Sequence, residues 1–522
     1  MAGGVLALVV LGGALALRLA RLDARPMHTD EAVQAVKFAQ LLEGGGYRYD
    51  PREFHGPTLY YFTLPAAWLR GQRHLAALDE TTVRLAPAVL GAGCVVLVVL
   101  LADGLGRAAA GWAAALLACS PALVFYSRYY IHETLLTFFT LLALGAGWRQ
   151  ARTGRWRWAL LAGGAAGLMH ATKETCIIAY GCGLAALAAT LLWRRAAGPS
   201  RWAVRVRPGP IGTALLAAAG VSMLLFSSFG TNVQGMTDSL RTYGNYFQRA
   251  GGGLHEQPWH YYLGLLLYHR EGGGPIWSEG LIVALAAVGT GAALAGRGLG
   301  QTSEWLARFW AVYTLLMTSA YSAIPYKTPW SMLSALQGLV VLAGVGAGVL
   351  VRAAPRRAAR ALVGVLLAAG VAHLGWQAYR GSFRYAADER NPYVYGHTTA
   401  DTVRLGRRAE QIAAVAPEGR RLLITVVAKP DDYWPLPWYL RRFWRVGYWT
   451  EAPAGLGGAL VIASRGLAEQ VEARLPGPYQ MEYFGLRPGV LLSVYVRRDL
   501  WDAFLAGRGG RSSAPAGGSG HD

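Results

Sequence analysis

The chain has 522 residues, of which 53% are hydrophobic and 15% charged, against roughly a quarter charged in soluble domains. That balance excludes an ordinary soluble enzyme, and the apolar runs that recur to about residue 378 indicate a multi-pass membrane protein. The net charge of +20 does not point to nucleic acid, because many arginines cluster in short loops between apolar runs and no basic stripe interleaves with aromatics elsewhere.

The first apolar run, 5–17, lacks a basic stretch before it and reads as a retained anchor rather than a cleaved leader. Further runs lie at 83–102, 108–126, 134–148, 158–169, 175–193, 211–229, 280–295, 306–323, 330–351 and 361–376, so about eleven spans are expected. Residues 57–69 are apolar but too short to cross, and are expected to form an interfacial helix with Pro57 in its first turn. Cys94, Cys119, Cys176 and Cys182 lie in apolar runs and read as small buried hydrophobes, without zinc-site spacing. Beyond 378, strands are expected at 422–428, 459–463 and 490–496, with helices at 399–415, 434–443 and 467–475. The expected fold class is therefore membrane all-α: a polytopic bundle of about 11 transmembrane helices over 1–378, followed by a soluble α/β domain over 379–506. The Gly/Ser-rich stretch 507–522 reads as a disordered tail.

Alternate loops carry Arg107, then Arg149 to Arg157, then Arg194 to Arg207, then Arg297, then Arg352 to Arg360. Positively charged loops stay inside, which places the N-terminus in the cytoplasm and the C-terminal domain outside the cell (inner) membrane. Arg18, Arg21 and Arg25 run against this rule, since they follow the first span on its outer side.

The opposite loops hold acids, histidines and scarce lysines. They read Met27-His28-Thr29-Asp30-Glu31, Ser127-Arg128 through His132-Glu133, His170 through Lys173-Glu174, and Tyr326-Lys327-Thr328-Pro329-Trp330. Only Lys37, Lys173, Lys327 and Lys429 are lysine, and two of the four fall in these loops. Asp30 and Glu31 open a helix with Thr29 as its expected cap, where the dipole favours ionised carboxylates. Such a carboxylate can take the proton of an attacking hydroxyl, although two acids can also merely cap a helix. Glu133 opens another span. Asp30, Glu31 and Glu133 are thus the candidate catalytic acids, and Asp30 and Glu133 also suit a divalent cation, which the sequence neither requires nor excludes. A phosphate leaving group needs positive charge beside it, which His55, Arg128, Lys173 and Lys327 can supply; contact with lipid headgroups is the alternative for each. Asp30, Glu133 and Lys173 are expected to converge. Among the aromatics, Tyr60, Tyr61 and Trp330 suit stacking on a sugar or a lipid tail.

The order of a first span, an Asp-Glu loop and His55-Gly56-Pro57-Thr58-Leu59-Tyr60-Tyr61 resembles the GT-C glycosyltransferases, in particular the protein O-mannosyltransferase and aminoarabinose transferase group. Arg128 through Glu133 resembles the second acidic motif of that group, and Thr172-Lys173 its turn after the fifth span. Tyr326 through Trp330 and Arg390 through His397 are similar to a prokaryotic subfamily described as flippase activity-associated. The resemblance implies Asp30 as base, Glu133 as second acid and His55 on the donor phosphate. Gly56-Pro57 replaces the usual Pro-Pro, and Glu174 stands where a small residue is usual. The implied activity is transfer of a sugar from a polyprenyl-phosphate-linked donor to a hydroxyl on a glycan, lipid or protein acceptor, with membrane lipids as surroundings and no nucleic acid. The alternative is a non-catalytic transporter or flippase-associated protein for lipid-linked sugars. That alternative expects paired charges deep within spans, whereas these lie at span ends.

Overall fold

The computed structural model describes residues 2–52, 55–197, 208–249 and 255–512. The chain forms two compact units. The first comprises 1–24, 40–72 and 79–395; the second comprises 25–39, 73–78 and 396–522.

The helices begin with α1 (Ala2–Leu19), α2 (Thr29–Leu42), α3 (Thr58–Leu69), α4 (Glu80–Leu97), α5 (Ala102–Leu105), α6 (Arg107–Cys119) and α7 (Pro121–Ser127). Next come α8 (Glu133–Thr153), α9 (Trp156–His170), α10 (Cys176–Ala197), α11 (Pro208–Phe226), α12 (Gln234–Arg249) and α13 (Tyr261–Leu267). Then follow α14 (Gly280–Ala295), α15 (Glu304–Ala323), α16 (Leu333–Ala353) and α17 (Arg357–Tyr379). The C-terminal helices are α18 (Ala400–Val415), α19 (Pro430–Tyr433), α20 (Leu436–Tyr439), α21 (Ala468–Glu472) and α22 (Arg498–Ser512).

Every expected apolar run is helical, but the count of eleven spans is not reproduced. Among the described residues, five helices are long and apolar enough to cross a membrane, or six if the bent pair α6–α7 is one span. Gly3–Leu19 and Gly280–Ala295 are apolar but shorter. Burial separates their roles: the Pro329–Ala353 span is 78% buried, whereas Pro208–Phe226 and Arg357–Arg384 are each 11% buried and turn most of their apolar surface outward. In the core, α16 packs on α14 and α6. The α14–α16 crossing is close because a Cβ on Gly289 or Gly346 would overlap the backbone carbonyl of Leu342 or Leu285; small residues allow such approach between membrane helices.

The expected span 108–126 is broken. Between α6 and α7 the chain bends by 55° at Ser120-Pro121, where proline lacks the N–H that a continuous helix needs. The carbonyls freed at the end of α6 are taken up by Arg18, which donates to Leu117 O at 2.8 Å and Ala118 O at 3.0 Å. Ser120 Oγ and the Ala122 amide donate to the buried Glu279 at 2.5 and 2.8 Å, and Tyr393 Oη donates to the same carboxylate at 2.7 Å. Unsatisfied backbone groups inside a membrane are costly, and these contacts give the Leu117 and Ala118 carbonyls and the Ala122 amide their partners across the break.

In the second unit a five-stranded sheet runs in the order β2-β1-β3-β5-β4. Strand β1 (Leu423–Val427) is parallel to β2 (Arg445–Trp449) and β3 (Leu460–Ser464); β5 (Val490–Arg497) is antiparallel to β3 and to β4 (Tyr479–Arg487). Alternation gives each face its core. Ile424, Val426, Leu460 and Ile462 pack with Leu405, Ile412 and Phe504 of α18 and α22, while Val427, Val461 and Ala463 face Val471 and Tyr495. The three expected strands are present, and the helix expected at 399–415 is α18, with Thr399 accepting from the Asp401 amide at 3.2 Å. Strands β2 and β4 were not anticipated. The helix expected at 434–443 contains only the single turn α20, because Pro435 and Pro437 deny it amide donors. Helix α22 continues through Ser512, so 507–512 is helical rather than tail; 513–522 lies outside the described residues, as do Arg201, Arg205 and Arg207.

Candidate active site

In the second unit, His28-Thr29-Asp30-Glu31 opens α2. His28, not Thr29, is the cap: its Nδ1 accepts from the Asp30 amide at 3.1 Å and its carbonyl accepts from the Ala32 amide at 3.0 Å. Glu31 reaches back so that its Oε2 accepts from the His28 amide at 2.9 Å, the reciprocal arrangement of a capping box. Glu31 is fully buried and ion-paired to Arg25 at 2.9 Å. Both of its oxygens are engaged in fixing the helix start. The Asp30 side chain, one residue earlier, is 48% exposed, with Oδ2 4.0 Å from His28 Nδ1. Adjacent positions on a helix point about 100° apart, which separates a structural acid from an accessible one.

In the first unit, an ion pair and a histidine–carboxylate contact meet around a second histidine. Glu133, in the first turn of α8, pairs with Lys173 in the α9–α10 turn. His55 Nδ1 contacts Glu174 Oε2 at 2.8 Å, and Tyr49 Oη donates to Glu174 Oε1 at 3.4 Å. His132 lies between the pairs, next to Glu133 in sequence and with its ring 5.2 Å from that of His55. The His132 Nε2 donates to Gly56 O at 3.0 Å. The segment Gly56–Thr58 is pinned to the same turn: Gly56 N donates to Thr172 O at 3.0 Å, Thr58 N to Ala171 O at 3.1 Å and Thr58 Oγ1 to Thr172 Oγ1 at 2.8 Å. A Cβ on Gly56 would overlap the Ala171 carbonyl oxygen, so only glycine fits here.

The electrostatics follow from this packing. Burial alone would push the Glu174 carboxyl up, but the neighbouring His55 and Lys173 hold it down to about 2. Burial, reinforced by His55 and Lys173, pushes the His132 imidazole well below its usual range. A neutral His132 with its proton on Nε2 thus lies between the His55–Glu174 and Lys173–Glu133 contacts. His55 is the accessible member, its side chain 38% exposed.

Two of the expected phosphate ligands are committed elsewhere. Arg128 is buried and donates to Leu17 O, Arg18 O, Ala20 O and Arg21 O at 2.8–3.1 Å, closing the C-terminal end of α1. Lys327 is buried and donates to Ile324 O and to Gln257 O at 3.1 Å, fixing a loop whose backbone pairs with 255–257. Of the three residues expected to converge, Glu133 and Lys173 are paired; Asp30 belongs to the other unit. Among the described residues, no group of three or more His, Cys, Asp or Glu side chains is arranged to hold a metal ion. The partnerships of His132 with Gly56 and of Glu279 with Ser120 and Tyr393 had no local signal, since each joins positions at least 76 residues apart.

The fold is similar to those of several solved structures at 13–15% identity. The similarity to ArnT from Cupriavidus metallidurans in the apo state has a TM-score of 0.66 and covers 95% of this chain and 98% of that one at 15% identity. The same protein bound to undecaprenyl phosphate gives 0.66 over 93% and 97% at 14% identity. The oligosaccharyltransferase AglB from Archaeoglobus fulgidus, in complex with an inhibitory peptide and a dolichol-phosphate, gives 0.52 over 84% and 63% at 13% identity. In sequence, residues 58–221 match the model of the dolichyl-phosphate-mannose-protein mannosyltransferase family. No curated protein matches the chain in sequence.

Proposed function

We propose that the protein is an integral membrane glycosyltransferase that moves a sugar from a polyprenyl-phosphate-linked donor to a hydroxyl acceptor at the extracytoplasmic face. One observation carries the reading: of the two adjacent acids at the start of α2, Glu31 is sealed in a capping network while Asp30 presents its carboxylate to solvent. The acceptor oxygen attacks the anomeric carbon, the bond from that carbon to the phosphate oxygen breaks, and the phosphate leaves with the electron pair. The acceptor's proton passes to Asp30. The phosphate gains one negative charge in this step, which Lys173, and His55 when it is protonated, are suited to meet. When protonated, His55 donates through Nδ1 to Glu174 and has Nε2 to offer to a phosphate oxygen. ArnT, whose fold this chain shares, has been seen with undecaprenyl phosphate bound, which supports a lipid-phosphate carrier. The test is incubation of the purified protein with a panel of radiolabelled polyprenyl-phosphate sugars. Loss of label from one lipid to an acceptor is expected; retention of label on every lipid would contradict the reading.

A further inference from the structure

The segment that carries Asp30 is built into the same compact unit as the C-terminal α/β domain. Two contacts hold it there, and a third fixes the turn that one of them uses. The Met27 amide donates to Tyr439 Oη at 2.8 Å. The His28 ring stacks on His397, with centroids 5.8 Å apart and planes 18° from parallel. Arg441 donates through Nε and Nη2 to Leu78 O at 3.1 and 2.8 Å and through Nη1 to Trp438 O at 2.7 Å, which locks the turn bearing Tyr439. His28 in turn fixes Asp30 through the hydrogen bond from its amide. An unbroken chain of contacts therefore runs from the domain to the accessible carboxylate: His397 to His28 to Asp30, with Tyr439 on the preceding backbone.

We propose that His397 and Tyr439 are positioning residues for Asp30, so that the C-terminal domain works as part of the catalytic apparatus by setting where the base stands. This rests on the reading of Asp30 as the base. A flat ring on His28 and an acceptor for the Met27 amide are what the segment needs. A base displaced by about 1 Å is expected to cost on the order of 100-fold in turnover while donor binding is unaffected.

The experiment compares Asp30→Asn, His397→Ala, His397→Phe and Tyr439→Phe in the full-length protein. Its readouts are kcat, donor KM and hydrogen–deuterium exchange across 25–39. His397→Ala and Tyr439→Phe are expected to lower kcat about 10- to 100-fold with donor KM unchanged and to speed exchange in 25–39. His397→Phe keeps the stacked ring and should restore most of the rate, which a general loss of stability would not allow. On the residual rate of Asp30→Asn, adding His397→Ala should have no further effect, because both changes disable the same group. Normal kcat in both His397→Ala and Tyr439→Phe, alongside a dead Asp30→Asn, overturns this inference and leaves the proposed function standing. Normal turnover in Asp30→Asn overturns both. If His397→Ala does not fold, Tyr439→Phe, which removes one oxygen, decides the matter by the same kcat criterion.

Discussion

Gly56 carries no side chain because there is no room for one. The Ala171 carbonyl fills the place of its Cβ, and the backbone bonds to Ala171 and Thr172 leave no freedom to move away. Gly56→Ala should cost about 1–3 kcal/mol of stability, as overpacking does in a filled interior. A lowered melting temperature checks this, together with a loss of transfer, since His55 is the next residue. His132 gives a pH signature. Folded, its imidazole is held well below the usual 6.5, first by burial and then by the charges of His55 and Lys173. Unfolded, it takes up a proton near the usual value. The stability it contributes is thus present above pH about 6.5 and is lost as the pH falls, by about 1.4 kcal/mol per pH unit. Glu174, held down to about 2 from the usual 4.5, contributes stability that is present above pH 4.5 and lost between there and 2, so it does not act in the same window. His132→Gln keeps a donor for Gly56 O. Melting curves from pH 7 to 5 should show a slope shallower by that amount in the variant than in the parent; identical slopes would refute a buried neutral His132.

The first helix and the break in the α6–α7 pair close each other's loose ends. Arg18 satisfies carbonyls at the end of α6, and Arg128 satisfies four carbonyls at the end of α1. These are the arginines that ran against the topology rule or stood in for phosphate ligands. Hydrogen bonds to a charged donor are worth about 1.5–3 kcal/mol each. Arg128→Ala should therefore lower stability by at least about 3 kcal/mol, while the protein that remains folded binds donor as before; weakened donor binding at unchanged stability would restore Arg128 to the phosphate site. The run 108–126 was expected as one span, and Pro121, which cannot continue the hydrogen-bond ladder, is the local sign of the break within it. It does not announce what heals the break, because Arg18, Glu279 and Tyr393 come from distant stretches. The same limit explains the site. The pairing of Glu133 with Lys173 was legible from span ends and charge. That Arg128 is spent on carbonyls and that Glu174 is the partner of His55 depend on three-dimensional neighbours that no spacing encodes, whereas the Glu31 cap lies three residues from His28 and capping was open from the sequence. Strands β2 and β4 escaped notice because aromatics, arginines and glycines interrupt their alternation.

For the whole molecule, alternating arginine loops predict that the C-terminal domain lies outside. Reporter fusions after Arg195 and after Leu505 should report opposite sides of the membrane, and the same side for both would contradict this topology. The central claim is that Asp30 takes the acceptor's proton. Its most direct test is single-turnover transfer from a radiolabelled polyprenyl-phosphate sugar by the parent and by Asp30→Asn, with expression, melting temperature and donor affinity matched. Asn keeps the shape and the helix start but accepts no proton, and general-base assistance is worth about 10²- to 10⁴-fold. The account predicts a folded variant that binds donor and transfers slower by that factor; transfer at the parental rate would contradict it.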